Sequence, residues 1–159
     1  MLALLSLGGN VGDRKATMDA AVTALGAVPG PTVTARSSYY RTEPDGPVVQ
    51  QWFVNLAVAV TTEMTPSALA AACKQIETEL GRDRSREIPW GPRPIDIDVV
   101  ATGDAAGMEA VGGVLDARSF VLVPLAEIAG GAVIAGRTIA ARAEEAGAAG
   151  VKKLDWPLP

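Results

Sequence analysis

The run Leu2-Ala3-Leu4-Leu5-Ser6-Leu7-Gly8-Gly9 decides how this chain folds. Five of its first six residues are apolar, with no helical spacing and too few positions for a helix, and two glycines close it. Such a run reads as a central strand over residues 2–7, buried on both faces and stopped by the glycines. Everything downstream must supply the layers that cover it.

Outward from that strand the periodicity changes. Between residues 11 and 25 the apolar positions Val11, Met18, Ala21, Val22 and Leu25 fall mostly at three- and four-residue steps, with Asn10 as N-cap, which predicts a first helix. After Pro29-Gly30-Pro31, residues 32–41 are rich in Val, Thr and Tyr, and residues 53–62 alternate in the manner of a strand. Pro66 opens a second helix in which Leu69, Cys73, Ile76 and Leu80 recur until Gly81, so Cys73 reads as core. A fourth strand covers 95–101, a small-residue loop covers 103–113, and short helices are expected over 123–129 and 138–146, before a tail at 156–159.

The order is β-α-β-β-α-β plus a helical extension. Right-handed, unknotted connections turn it into an α+β, ferredoxin-like sandwich: an antiparallel sheet with both helices on one face and the other face free for a ligand. With 159 residues, the chain is expected to be a single domain over 1–159. A net charge of -4, from 14 Lys+Arg against 18 Asp+Glu, argues against long nucleic acid as a partner, so an anionic ligand needs a local cationic site. One cysteine and no histidine exclude an internal disulfide, Cys/His zinc sites and histidine-based triads. No stretch reads as a membrane span or signal peptide, giving a cytoplasmic expectation with no membrane partner.

The chemistry concentrates in Trp90-Gly91-Pro92-Arg93-Pro94-Ile95-Asp96-Ile97-Asp98. Asp96 and Asp98 are two apart on a strand, roughly 6.5–7 Å along the backbone and on one face, where two carboxylates can hold a hard cation. Read alone, the pair is equally an exposed edge of any half-buried strand. Arg82, Arg84, Arg86 and Arg93 fall within twelve positions leading into that strand, and guanidinium forks bind phosphate, so the two groups together read as a magnesium-polyphosphate site. Gly81 and Gly91 would let the arginine loop act as a lid. A second group, Thr42, Phe53 and Asn55 with the loop after Tyr40, offers a hydroxyl, an amide and an aromatic face suited to a flat heterocycle. Gly8-Gly9-Asn10 before a helix is a weaker candidate anion cradle.

Trp-Gly-Pro-Arg-x-x-Asp-Ile-Asp at 90–98 resembles the signature of the 6-hydroxymethyl-7,8-dihydropterin pyrophosphokinases. Leu-Gly-x-Asn-x-Gly-Asp at 7–13, Tyr-Arg-Thr-Glu-Pro at 40–44, Phe-Val-Asn at 53–55, Glu-x-x-Leu-Gly-Arg-x-Arg at 77–84 and Arg-Ser-Phe-Val-Leu-Val-Pro-Leu-Ala-Glu-Ile at 118–128 extend it. The resemblance implies an ATP-dependent diphosphotransferase of folate biosynthesis that passes diphosphate to a pterin alcohol and releases AMP. It implies that Asp96 and Asp98 ligate two Mg2+ ions and that Arg82, Arg84 and Arg93 contact phosphate. Glu77 and Arg118 would lie on the nucleotide side. The pterin would sit between Phe53 and Phe120, bonded by Asn55, Thr42 and backbone near Pro44 and Asp45, under Trp90. The implied partners are these two small molecules, with the protein a monomer or weak dimer. The sequence departs from the family where Val111-Gly112-Gly113 replaces a Pro-His-Pro segment, where Gly9 and Lys74 replace common Ser and Gln, and where Ile88-Pro89 lengthens the loop. Two alternatives remain beside this reading: a homologue that binds pterin or nucleotide without turnover, and an RNA-binding ferredoxin-like module.

Overall fold

The computed structural model describes residues 1–104, 106–116 and 118–159. Its elements are β1 (Leu2–Gly9), α1 (Arg14–Ala27), β2 (Thr32–Arg36), β3 (Tyr40–Thr42), β4 (Phe53–Thr61), α2 (Pro66–Glu79), a 3-10 turn (Arg84–Arg86), β5 (Asp96–Asp104), β6 (Gly107–Ala110), α3 (Ser119–Ala129), β7 (Val133–Ile134), β8 (Arg137–Thr138), α4 (Ile139–Ala146) and β9 (Val151–Lys153). One mixed sheet runs β8-β7-β6-β5-β1-β4-β3-β9, with β2 also paired to β4, and every ladder but β6–β7 is antiparallel. This is an α+β architecture.

β1 lies at the centre, paired along its length with β4 and β5. Its Ala3, Leu5 and Leu7 join Val54, Leu56, Val58 and Val60 of β4 and Ile97 and Val99 of β5 in a core closed by Met18, Ala21 and Leu25 of α1 and Leu69, Cys73 and Ile76 of α2. Cys73 is thus packing, and burial, helped by the charges of Glu77 and Asp98, pushes its thiol up to about 12. On the reverse face, Leu4, Ala57, Ala59 and Val100 pack under Val121, Leu122 and Leu125 of α3 and Ile139 of α4. The expectation of a free face is therefore corrected. Leu4 and the alanines of β4 are apolar, so they need cover, and among the described residues the end of that face carrying Ser6, Gly8, Asn55, Asp96 and Asp98 stays open.

Other boundaries shift for identifiable reasons. Gly8 and Gly9 do not stop β1; they pair with Asn55 and Val54 and extend it. Asn10 does not cap α1, because Asp13 takes that role, accepting from the Ala16 N–H at 3.1 Å. The expected strand 32–41 is cut into β2 and β3 at Ser37, whose hydroxyl accepts from the Ala57 N–H at 2.9 Å in place of a carbonyl. β5 runs on to Asp104 and turns back as β6 inside the expected loop, its turn held where the Asp104 carboxylate accepts from the N–H groups of Ala106 and Gly107. α3 starts one turn before residue 123, since Pro124 lies inside it and forfeits a single helical hydrogen bond. β7, β8 and β9 are two or three residues each, too short to leave a periodicity.

Leu5 is fully buried and opposite Val58 on one side and Val99 on the other. Leu5→Ala is expected to cost about 2–5 kcal/mol through the cavity it leaves, measured by urea unfolding.

Candidate active site

Alternation along β5 turns Ile97 and Val99 toward α2 and leaves Asp96 and Asp98 on the opposite face, across from Gly8 and Ser6 of β1. Those small neighbours leave room above the acids. The floor they form belongs to an open cleft lined by Thr42, Phe53, Asn55, Arg118, Phe120 and Trp90, with the Arg93 guanidinium stacked 5.3 Å from the centroid of the Phe53 ring. Acids, cations and a flat aromatic and amide wall therefore face one space.

The acids are not equivalent. Asp98 is raised from its ordinary 3.8 to about 6, first by burial and then by the charges of Asp96 and Glu77. Asp96 is balanced by cations: its Oδ1 accepts from Arg82 at 2.9 Å, and Arg93 Nε lies 3.8 Å from its Oδ2. Beneath them Glu77, only 2% exposed, accepts from Arg82 at 3.2 Å, Arg84 at 2.7 Å and the Ile97 N–H at 2.7 Å. Burial still raises its carboxyl above the usual range, against the pull of that N–H and of Arg82. Arg82 also grips Glu87 with Nε and Nη2, at 2.8 and 3.0 Å, so each of its nitrogens donates to a protein oxygen. Burial disfavours its charge, but the hydrogen bonds to Glu87 and Asp96 outweigh that and keep it protonated.

The opposite wall is the β3–β4 hairpin. Thr42 pairs with Phe53 and Tyr40 with Asn55, which places the Asn55 amide against the Thr42 hydroxyl, Nδ2 donating at 2.5 Å. Gly8 is required for this, because a Cβ there would stand 2.2 Å from Asn55 Oδ1. The loops above are tied at Asn10. Its Oδ1 accepts from the Arg93 N–H, its N–H donates to the Arg93 carbonyl, and its Nδ2 donates to Gln50 Oε1 and the Gln51 carbonyl. Gln50 in turn donates to the Trp90 carbonyl at 2.6 Å. Trp90 adopts a left-handed φ of 64°, a conformation that a bulky side chain takes only where its surroundings enforce it.

The cleft brings together Thr42, Asp45, Phe53, Asn55, Trp90, Arg93, Asp96, Asp98, Arg118 and Phe120. It does not include Pro44, and Glu77, Arg82 and Arg84 line a separate depression with Thr78, Gly81, Asp83 and Ser85. The anion cradle expected at Gly8-Gly9-Asn10 is absent among the described residues, since Asn10 is spent on the loops and α1 begins four residues later. Ser6, Gly8, Glu43 and Gln50 also line the cleft. For Ser6 a signal existed, as the one polar position in β1; for Gln50 none did.

Two expectations follow. A carboxyl raised on folding binds more protons folded than unfolded between pH about 4 and 6, so Asp98 lowers stability as pH rises through that window. Carbon-13 titration should place its midpoint near 6, and Asp96→Asn should bring it down. Gly8→Ala should force Asn55 off Thr42 and cost about 1–3 kcal/mol through the unpaired buried amide, seen in denaturant unfolding.

A family model described as 7,8-dihydro-6-hydroxymethylpterin-pyrophosphokinase (HPPK) matches residues 4–130. The 2-amino-4-hydroxy-6-hydroxymethyldihydropteridine pyrophosphokinase of Methylorubrum extorquens is 46% identical over 159 residues, covering 96% of this chain and 98% of that protein. The Bacillus subtilis protein of the same name is 39% identical over 131 residues, covering 80% and 77%. A crystal structure of HPPK-DHPS in complex with substrates superposes with a TM-score of 0.65 at 12% identity, and one of Plasmodium falciparum HPPK-DHPS, wild type with SDX-DHP, with 0.64 at 14%. Each superposition covers 91% of this chain and 43% of the other, so the chain spans less than half the length of those structures, and the likeness speaks for the fold. With signature, cleft and relatives in agreement, this chain belongs to the 7,8-dihydro-6-hydroxymethylpterin-pyrophosphokinase family.

Proposed function

We propose that this chain transfers diphosphate from ATP to the hydroxymethyl group of 6-hydroxymethyl-7,8-dihydropterin, releasing AMP, as a step of folate biosynthesis. The observation that carries the reading is the convergence of Asp96 and Asp98 with Phe53, Asn55 and Thr42 in one cleft. In this reading the whole chain, 1–159, works as one domain, supported by β9 pairing with β3 inside the same sheet. The ferredoxin-like arrangement of the central strands is likewise our reading, supported by the order β5-β1-β4 with β2 and β3 beyond.

The donor set suits magnesium. In the cleft lining, Glu43, Asp45, Asp96 and Asp98 outnumber the guanidiniums of Arg93 and Arg118, and hard oxygen donors favour a hard divalent ion. Among the described residues no group of three or more His, Cys, Asp or Glu side chains is arranged to hold a metal ion by itself, so phosphate oxygens and water would complete the coordination of the two proposed ions. When bound, these ions neutralise phosphate charge and hold the triphosphate in position.

The chain's own residues do the rest. Phe53 and Phe120 would flank the pterin ring while Asn55, Thr42 and backbone near Pro44 and Asp45 fix its edge, pointing the hydroxymethyl oxygen at the acids' side of the cleft. Arg93 and Arg118 face the same cleft and would take the charge that develops as that oxygen bonds to the β-phosphorus and the bond to the AMP oxygen breaks. Arg84, more than half exposed, would join the phosphates from the neighbouring depression, where Glu77 shapes the nucleotide side. Arg82 first of all orients Asp96, and would meet phosphate through the fork that Glu87 now fills. Trp90 would cover the ring. Alignment and charge neutralisation supply the acceleration, which suits a chain with no histidine.

Incubating the protein with ATP, magnesium and the pterin alcohol, and quantifying AMP and pterin diphosphate, tests the reading. Pterin binding with no AMP would favour the non-catalytic alternative that the missing Pro-His-Pro segment suggests. Asp98→Ala is expected to lower turnover about 100-fold or more with unfolding unchanged or improved, since it removes a cation ligand and a destabilising buried acid. Undiminished turnover would overturn the assignment of the carboxylate pair.

A further inference from the structure

Both ends of the loop that roofs the pterin side of the cleft, residues 43–52, are tied to the C-terminal segment. At one end the Glu43 N–H donates to the Gly150 carbonyl at 2.9 Å, and Thr42 stands opposite Val151 where β9 pairs with β3. At the other end Trp52 meets Trp156, ring centroids 6.4 Å apart and tilted by 51°. Trp156 also meets the buried ring of Tyr39 at 5.4 Å and 57°, and the Leu154 N–H donates to the Tyr39 carbonyl at 2.9 Å. These contacts lie on the α1/α2 side of the hairpin, while Thr42, Phe53 and Asn55 project from its other side into the cleft.

We propose that Trp156 is a positioning residue for the pterin subsite, holding the back of the β3–β4 hairpin so that Thr42, Phe53 and Asn55 keep their registration; this rests on the function proposed above. β3 has only three residues, and so short a strand holds its place poorly without a second neighbour or side-chain packing. β9 supplies the neighbour and Trp156 the packing, filling the space between Tyr39, which leads into β3, and Trp52, which leads into β4. Arg14 at 4.4 Å and Arg41 at 4.7 Å from the Trp52 ring add cation–π contacts but do not join it to Tyr39. Tyr39 and Trp52 lie within residues 4–130, the part matched by the family model, whereas β9 and Trp156 lie beyond it.

The test is steady-state kinetics of the full chain, varying pterin and ATP separately, for wild type, Trp156→Ala and Trp156→Phe. Loosening of the pterin wall alone should raise KM for pterin about fivefold in Trp156→Ala, leave KM for ATP unchanged, and be largely restored by Trp156→Phe. An unaltered pterin KM would overturn the proposal and leave the function standing, as would an equal loss of both affinities that follows a fall in melting temperature. Should Trp156→Ala not fold, Leu154→Ala loosens the same segment more gently and carries the same expectation. If wild type forms no AMP, the functional reading fails by itself; the positioning role of Trp156 is then judged by calorimetric titration of 6-hydroxymethylpterin, where equal affinity of wild type and Trp156→Ala, or no binding by either, overturns it.

Discussion

A guanidinium buried among three carboxylates sets the geometry on which the candidate site depends. Arg82 holds Glu77, Glu87 and Asp96 at once and donates to the Ile95 carbonyl, linking α2, the arginine loop and the first residue of β5. A buried ion cluster of this kind adds little net stability, because desolvation offsets attraction, but removing one partner strands the others. Its value is positional. With Asp96 drawn toward Arg82, Asp98 is left as the acid in excess, and the cleft keeps an unbalanced negative charge where a cation and phosphate are proposed to meet.

That cluster can be polar only because the sheet is divided. One face is apolar along its length and closed by α1 and α2; the other changes character along β1, from Leu4 beneath α3 to Ser6 and Gly8 in the cleft. α3 serves both halves. Its middle seals the apolar part, while Arg118 and Phe120 at its start form the cleft's far wall. Packing and site are consecutive stretches of the same elements, and Phe120, packed against the apolar core and lining the cleft, joins the two halves.

Asn10 plays the matching part above the sheet. Nearly fully buried at the end of β1, it bonds the Arg93 segment and the Gln50-Gln51 segment, so the two loops over the cleft hang from one amide. Reading it as a helix cap was reasonable from its place before an amphipathic run, yet Asp13 lies nearer that run. A residue's type announces that it will bond to backbone; which backbone depends on what the fold brings near.

The central strands, both long helices, the shared face of Asp96 and Asp98 and the group formed by Thr42, Phe53 and Asn55 were legible in the sequence, because periodicity and local spacing record them directly. The covering of the second face, the pairing of β9 with β3 and the insertion of Trp156 beside Tyr39 were decided only in three dimensions. Local spacing fixes which way a side chain points from its own element. Which distant group it then meets depends on how many elements pack together, and neither a three-residue strand nor a lone tryptophan carries a pattern long enough to show it.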